Sequence, residues 1–252
     1  MVDEIPLAGG FINEVVLKDG SVRRPVGPHS PFTHRLLEHF ERCEWQGAPR
    51  LLGFDEQGRE MLTFVDGHVP FNLNRSPYAE SDASLIQLAA LVRQFHDLTA
   101  GTDLCGDAET VCHNDLAPRN TVYTDDTQGA LPVAFIDWDA AAPGERIHDV
   151  AHLCWQYLRL GTLVTDLPET ARRMRLVADA YGLDRDGRAR LVDTVLWWQD
   201  RCWRGVEAEA AAGDAAKIKL VEMDVPGWIR TTWQWVRDHR SDLDAALTTS
   251  AP

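Results

Sequence analysis

The hydrophobic pattern changes period near residue 67, and that change limits the chain to folds that join a small sheet to a larger helical part. Before it, apolar residues come in short bursts set off by turn formers. Residues 5–7 precede a Gly9-Gly10 break, residues 15–17 run into the turn Lys18-Asp19-Gly20, and residues 21–26 continue as a third strand. Residues 51–54 and 61–65, parted by Glu56-Gln57-Gly58, form a second hairpin. Between them, residues 31–43 place Leu36, Leu37 and Phe40 at helical spacing, with Ser30 and Thr33 as candidate caps. Five antiparallel strands and one helix are the expected content of residues 1–66.

From Ser81 onward the pattern turns helical, with Leu85, Leu88, Ala89, Val92, Phe95 and His96 at three- and four-residue steps. Two short strands follow, at 121–123 and 133–136, and the sequence beyond Asp149 is helical in pattern throughout. Trp197, Trp198, Trp203, Trp228, Trp233 and Trp235 recur there at helical steps and read as core. The expected class is α+β, with a sheet lobe in 1–66 and a mainly helical lobe in 67–252.

Composition narrows the partners. A hydrophobic share of 44% supplies a real core, which removes disorder as a reading. Lys and Arg number 25 against 39 Asp and Glu, and the net charge of −14 disfavours nucleic acid and anionic membrane while suiting a cationic or neutral small molecule. The five cysteines contain no Cys-x-x-Cys pair, so they read as reduced core residues rather than as a zinc site or disulfide framework. Met1-Val2-Asp3-Glu4 is acidic where a signal peptide would be basic, and no apolar run reaches membrane-spanning length. A cytoplasmic monomer or homodimer is expected.

The segment with chemical content is His113-Asn114-Asp115-Leu116-Ala117-Pro118-Arg119-Asn120, followed by Phe135-Ile136-Asp137-Trp138-Asp139. The polar turn residues 124–129 between the two strands predict an antiparallel pair. Asn120 just precedes the first strand and Asp137 just follows the second, so both side chains fall at the same open end. An amide oxygen beside a carboxylate suits Mg2+, a hard cation that completes its shell with phosphate and water. Asp115 lies on the same loop, free to orient and deprotonate a hydroxyl. Phosphoryl transfer needs little more than such positioning and neutralised phosphates. His113 reads as a buttress of the loop, and the lack of a second histidine pair at ligand spacing argues against a metal hydrolase.

These motifs resemble the catalytic loop and metal-binding strand end of the aminoglycoside phosphotransferase family, and the likeness in layout extends over nearly the whole chain. The resemblance implies a protein-kinase-like fold binding ATP and Mg2+, with Asp115 as catalytic carboxylate and Asn120 and Asp137 as metal ligands. Gly144-Glu145-Arg146-Ile147-His148-Asp149 matches the family's opening of the next helix, which makes Asp149 structural, as a cap or loop anchor. Gly9, Gly10, Phe11 and Asn13 resemble the nucleotide-covering loop, the competing reading being a plain hairpin turn. Kinases carry a lysine on the third strand. Here Val22 and Arg24 share one face, so Val22 would floor the adenine and Arg24 would replace the lysine, with Arg23 and Lys18 as alternatives. The partnering helix glutamate falls near Thr33 or His34, with Glu38 available nearby. Residues 62–67 resemble the hinge, where Thr63 and Val65 would bond adenine. Asp139, Trp155, Asp200, Glu207 and Glu209 are the acceptor-site candidates. The implied activity is phosphorylation of a small-molecule hydroxyl, with an aminoglycoside or related antibiotic as acceptor; choline, homoserine or a sugar, and an inactive nucleotide-binding module, are the alternatives.

Overall fold

The computed structural model describes residues 4–7, 15–70, 80–124 and 130–248. It divides into two compact units, Met1–Arg146 and Ile147–Pro252. The first unit opens with β1 (Ile5–Pro6), β2 (Val16–Lys18), β3 (Ser21–Arg24), α1 (Ser30–Arg42), β4 (Leu51–Phe54) and β5 (Glu60–Thr63). The strands form one antiparallel sheet in the order β1-β2-β3-β5-β4. Asp19 and Gly20, at φ 51° and 73°, close the β2–β3 hairpin in the two-residue turn whose twist matches that of the strands. In the next hairpin the Asp55 carboxylate accepts the Gln57 and Arg59 amides and so shapes the turn before β5. Because β3 pairs with β5, Arg24 stands directly opposite Glu60.

α1 begins with Pro31 in its first turn and buries Leu36, Leu37 and Phe40 along one stripe. The two expected caps do something else. Ser30 is already helical and its hydroxyl accepts the Gly27 amide, while the buried Thr33 hydroxyl donates to the carbonyls of His29 and Trp138, tying the helix to the segment around Trp138. α2 (Asp82–Thr99) is capped by Ser81, which accepts the Ser84 amide at 3.1 Å.

Three pairs of short segments then carry the loop of interest. β6 (Thr110–Cys112) pairs with β9 (Ala142–Gly144), and inside that clamp β7 (Thr121–Tyr123) pairs with β8 (Pro132–Phe135). A bridge between His68 and Tyr123, with mutual amide–carbonyl bonds of 2.8 and 2.9 Å, joins the connection after β5 to β7. Gly67 makes that approach feasible: at φ 144° a Cβ there would lie 2.4 Å from the Tyr123 carbonyl oxygen. Phe40, Trp45, Phe95, Phe135 and Trp138 pack edge to face beneath these strands and form the aromatic core of the unit.

The second unit consists of α3 (Arg146–Tyr157, from Ile147), α4 (Leu167–Tyr181), α5 (Arg185–Ala211), α6 (Ala215–Glu222), α7 (Val225–Asp238) and α8 (Arg240–Thr248). Asp166, Asp184 and Asp214 cap α4, α5 and α6 with their carboxylates. Val177, Leu191, Val195, Ile229, Val236 and Leu243 fill the interior. The tryptophans depart from the core reading. Trp198 is buried and donates to the His148 carbonyl at 2.7 Å, but Trp197 and Trp228 are exposed, and Trp203 and Trp233 lie under arginines. An indole face covered by a guanidinium is satisfied at the surface, so helical spacing alone overstated burial. Cys43 is likewise exposed at the end of α1, whereas Cys105, Cys112 and Cys154 are buried. Among the described residues, no helix is long and apolar enough to cross a membrane.

Candidate active site

The loop between β6 and β7 is held from beneath by His113, which is fully buried. Its Nδ1 accepts the Asp115 amide at 3.3 Å, so Nε2 carries the proton and donates to the Ile136 carbonyl at 3.1 Å. The ring packs against Trp138 at 4.5 Å between centroids. One imidazole thus links the loop to the segment that follows β8. Asn114 at φ 62° turns the chain in the left-handed region, and its side-chain amide donates to the Ala140 carbonyl. Leu116 and Ala117 are fully buried and anchor the loop, leaving the Asp115 side chain 32% exposed above them.

Asp115 is gripped at both oxygens. Arg119 Nη2 donates to Oδ1 at 2.5 Å, and Asn120 Nδ2 donates to Oδ2 at 2.8 Å. The same amide nitrogen also donates to the Asp115 carbonyl at 2.9 Å. Asn120, only 4% exposed, therefore has its NH2 committed, and its Oδ1 finds no donor among the described residues. Since the Ile136 amide donates to the Asn120 carbonyl, the residues that precede β7 and follow β8 are brought to one end of the hairpin.

Asp137 follows at φ 64°, a left-handed residue without glycine's freedom, and such strain is concentrated at functional positions. Its side chain is 50% exposed. Loss of surrounding water raises its carboxyl above the ordinary range, with the Asp139 charge and then that of Asp115 adding to the shift against the opposing Arg24. Arg24 reaches this cluster from β3. Its Nη1 lies 3.3 Å from Asp137 Oδ1, and its two terminal nitrogens fork onto Asp139 at 3.1 and 2.6 Å. Burial works to lower the Arg24 pKa, but Asp139, Glu60 and Asp137 outweigh it and the net shift is upward. An amide oxygen without a donor, at the same end of the hairpin as a carboxylate crowded by like charge, is an oxygen set that fits a small, hard divalent cation.

The remaining candidates are distributed unevenly. Val22 lies opposite Leu62 in the sheet, two residues from Arg24 on the same face. The Thr63 amide is already given to the Arg50 carbonyl at 2.9 Å, whereas Val65 makes no main-chain hydrogen bond among the described residues. Gly9, Gly10, Phe11 and Asn13 lie outside the described residues. In the second unit, Asp149 is buried one turn inside α3 rather than in front of it, and Trp155 is buried against His152. Asp200, Glu207 and Glu209 pair with Arg204, Arg230 and Lys217 respectively.

Sequence reasoning did not single out Glu60 or the β6–β9 clamp, and it marked His34 only as the place of an expected glutamate. Glu60 is 1% exposed and receives both Arg24 Nε and His34 Nε2. Alternation within β5 was the one available signal, since Glu60 shares a face with Leu62 and is the charged member of that inward-facing pair. Strands of three residues such as β6 and β9 are too short to show a period.

The family model described as "Phosphotransferase enzyme family" matches residues 100–191, a span that contains Asp115, Asn120 and Asp137. The trifolitoxin immunity protein of Rhizobium leguminosarum bv. trifolii is 30% identical over 276 aligned residues, which cover 98% of this chain and 100% of that protein. Among solved structures, an ethanolamine kinase of Plasmodium vivax superposes with a TM-score of 0.65 at 12% identity, covering 92% of this chain and 84% of that one. The GDP and kanamycin complex of APH(2″)-IIIa gives a TM-score of 0.56 at 14% identity, over 96% and 94%. The fold is the α+β protein-kinase-like fold. A full-length relative, a family model lying over the loop of Asp115 and Asn120 and a kinase-like fold converge: the chain belongs to the aminoglycoside phosphotransferase family, whose members are phosphotransferases acting on small-molecule hydroxyl groups.

Proposed function

We propose that the chain moves the terminal phosphoryl group of ATP to a hydroxyl of a small antibiotic or toxin-like acceptor in the cytoplasm. The observation that carries this reading is the gathering of Asp115, Asn120 and Asp137 at the end of one hairpin, with Arg24 reaching the same spot from the sheet. Asn120 Oδ1 and the Asp137 carboxylate would hold Mg2+, which when bound neutralises phosphate charge. Asp115 accepts a hydrogen bond from the acceptor hydroxyl and takes its proton. The hydroxyl oxygen then forms its bond to the terminal phosphorus, the bond from that phosphorus to the bridging oxygen breaks, and ADP leaves with the electron pair. Arg119 and Asn120 keep the Asp115 carboxylate aimed, and His113 fixes the loop that carries it. Phosphate oxygens would take the place of Asp137 and Asp139 at the Arg24 fork, and Val22 and Val65 would line the adenine.

Three considerations favour an antibiotic-type acceptor. The full-length relative is named for immunity to a toxin, and a solved neighbour holds kanamycin. A net charge of −14 suits cationic acceptors of that kind. A second reading, a kinase for a small amino alcohol, draws on the likeness to an ethanolamine kinase. Incubation with MgATP and a panel of aminoglycosides, ethanolamine, choline and homoserine, read by product mass and ADP release, separates them. ATP binding with no product from any acceptor would leave only a nucleotide-binding module.

A further inference from the structure

We infer that Glu60 and His34 form a positioning relay that sets the plane of the Arg24 guanidinium, with the strand glutamate in the place usually taken by a helix glutamate. The inference rests on the phosphate-binding role proposed for Arg24. Three geometric facts carry it. Arg24 and Glu60 are cross-strand partners on β3 and β5, so the sheet register itself puts the carboxylate beside the guanidinium. Glu60 contacts Arg24 through Nε, the one guanidinium nitrogen on the side of the stem, which leaves both terminal nitrogens directed at the acidic cluster. The second Glu60 oxygen is held by His34 Nε2, projecting from the second turn of α1.

The chemistry of this set differs from that of a lysine–glutamate pair. A lysine ammonium is a point charge that one carboxylate can hold in any orientation. A guanidinium is planar, and a donor fork helps an anion only if the plane is set correctly. Gripping Nε fixes that plane without occupying the fork. The grip must itself be rigid, and a carboxylate 1% exposed and bonded through both oxygens meets this condition. Glu38, the nearest acid on α1, is exposed and takes no part, so the helix contributes a histidine instead. That histidine sits where the family resemblance places the helix glutamate.

The asymmetry between Glu60 and the other two acids supports the assignment. Asp137 and Asp139 are about half exposed and meet the terminal nitrogens, where phosphate oxygens could replace them. Glu60 lies on the interior side and cannot be displaced by a ligand arriving from solvent. Arg24 therefore has one permanent partner and two exchangeable ones.

The test compares MgATP with adenosine, which has the base but no phosphates, by calorimetry. Glu60→Gln should raise the Kd for MgATP about tenfold, leave that for adenosine unchanged, and remove the resolved Arg24 Nε–H resonance from the NMR spectrum of isotope-labelled protein. In an Arg24→Ala background the same substitution should add nothing, because Glu60 acts only through the guanidinium. His34→Leu should weaken MgATP binding several-fold, and His34→Gln, whose amide reaches the same point, should recover most of the loss. The His34 pair decides the matter if Glu60→Gln fails to fold. Wild-type MgATP affinity in the folded Glu60→Gln protein, an equal loss in the Arg24→Ala background, or an equal loss for adenosine would each overturn the relay while leaving the phosphotransfer reading intact. A wild-type protein that binds no MgATP would instead overturn that reading, and the relay's role with it.

Discussion

Asn120 gives its side-chain amide nitrogen to Asp115 twice, to the carbonyl at 2.9 Å and to the carboxylate at 2.8 Å, and so turns its own oxygen away from the loop. The pair ties a proposed metal ligand to a proposed base through one planar group. Removing that group with Asn120→Ala should therefore affect both. The Mg2+ concentration for half-maximal activity should rise by about tenfold or more, and unfolding should become easier by about 1–2 kcal/mol as a buried hydrogen-bonded amide is lost. Magnesium titration of the rate and urea unfolding measure the two effects separately.

Asp115→Asn keeps the size of the side chain but not its ability to take a proton. Turnover should fall by at least about a hundredfold while MgATP affinity stays near that of the wild type. Single-turnover kinetics beside calorimetry provides the check, and unchanged turnover would remove Asp115 from the mechanism.

Asp137 leads to a prediction about stability and pH. Its carboxyl is raised above the ordinary value of 3.8 by partial loss of surrounding water and by Asp139, so the folded chain holds this proton more tightly than the unfolded chain does. The sign follows: its contribution declines as pH rises from about 3.8 through the folded value, and at neutral pH the ionised group opposes folding in the absence of metal. Asp137→Asn should raise the melting temperature of the metal-free protein at pH 7, by less at pH 4, and should abolish the response of stability to added Mg2+. Asparagine also tolerates the left-handed backbone at φ 64°. Scanning calorimetry at the two pH values, with and without Mg2+, tests all three statements.

Gly67 touches the hairpin rather than the chemistry. A Cβ at this position would approach Tyr123 O to 2.4 Å and Val122 Cγ1 to 2.7 Å, and the backbone at φ 144° is unsuited to any other residue. Gly67→Ala should destabilise by about 2 kcal/mol or more and expose the His68 and Tyr123 amides to exchange. Urea unfolding together with amide exchange at those two residues would reveal it.

Much of the fold was legible because local chemistry and period agreed. The Asp19-Gly20 turn, the α1 stripe of Leu36, Leu37 and Phe40, and the onset of α2 just after Ser81 each appear where the residues call for them. The antiparallel pairing of 121–123 with 132–135 was likewise written in the polar turn between them. The surface tryptophans of α5 and α7 were misread because spacing reports which residues share a face, and an arginine lying over an indole makes an exposed face comfortable.

The sequence by itself determined the hairpin that sets Asn120 and Asp137 at a common end, since both lie within a few residues of the strands they flank and the intervening turn leaves one pairing. Only the tertiary structure decided the company Arg24 keeps. Its partners come from β5 and from the segment after β8, with α1 reaching it only through Glu60, and they meet through a sheet whose strand order departs from chain order. Hydrophobic period encodes which side of a strand faces inward but carries nothing about which strand lies beside it, and the arginine's partners follow from that neighbour.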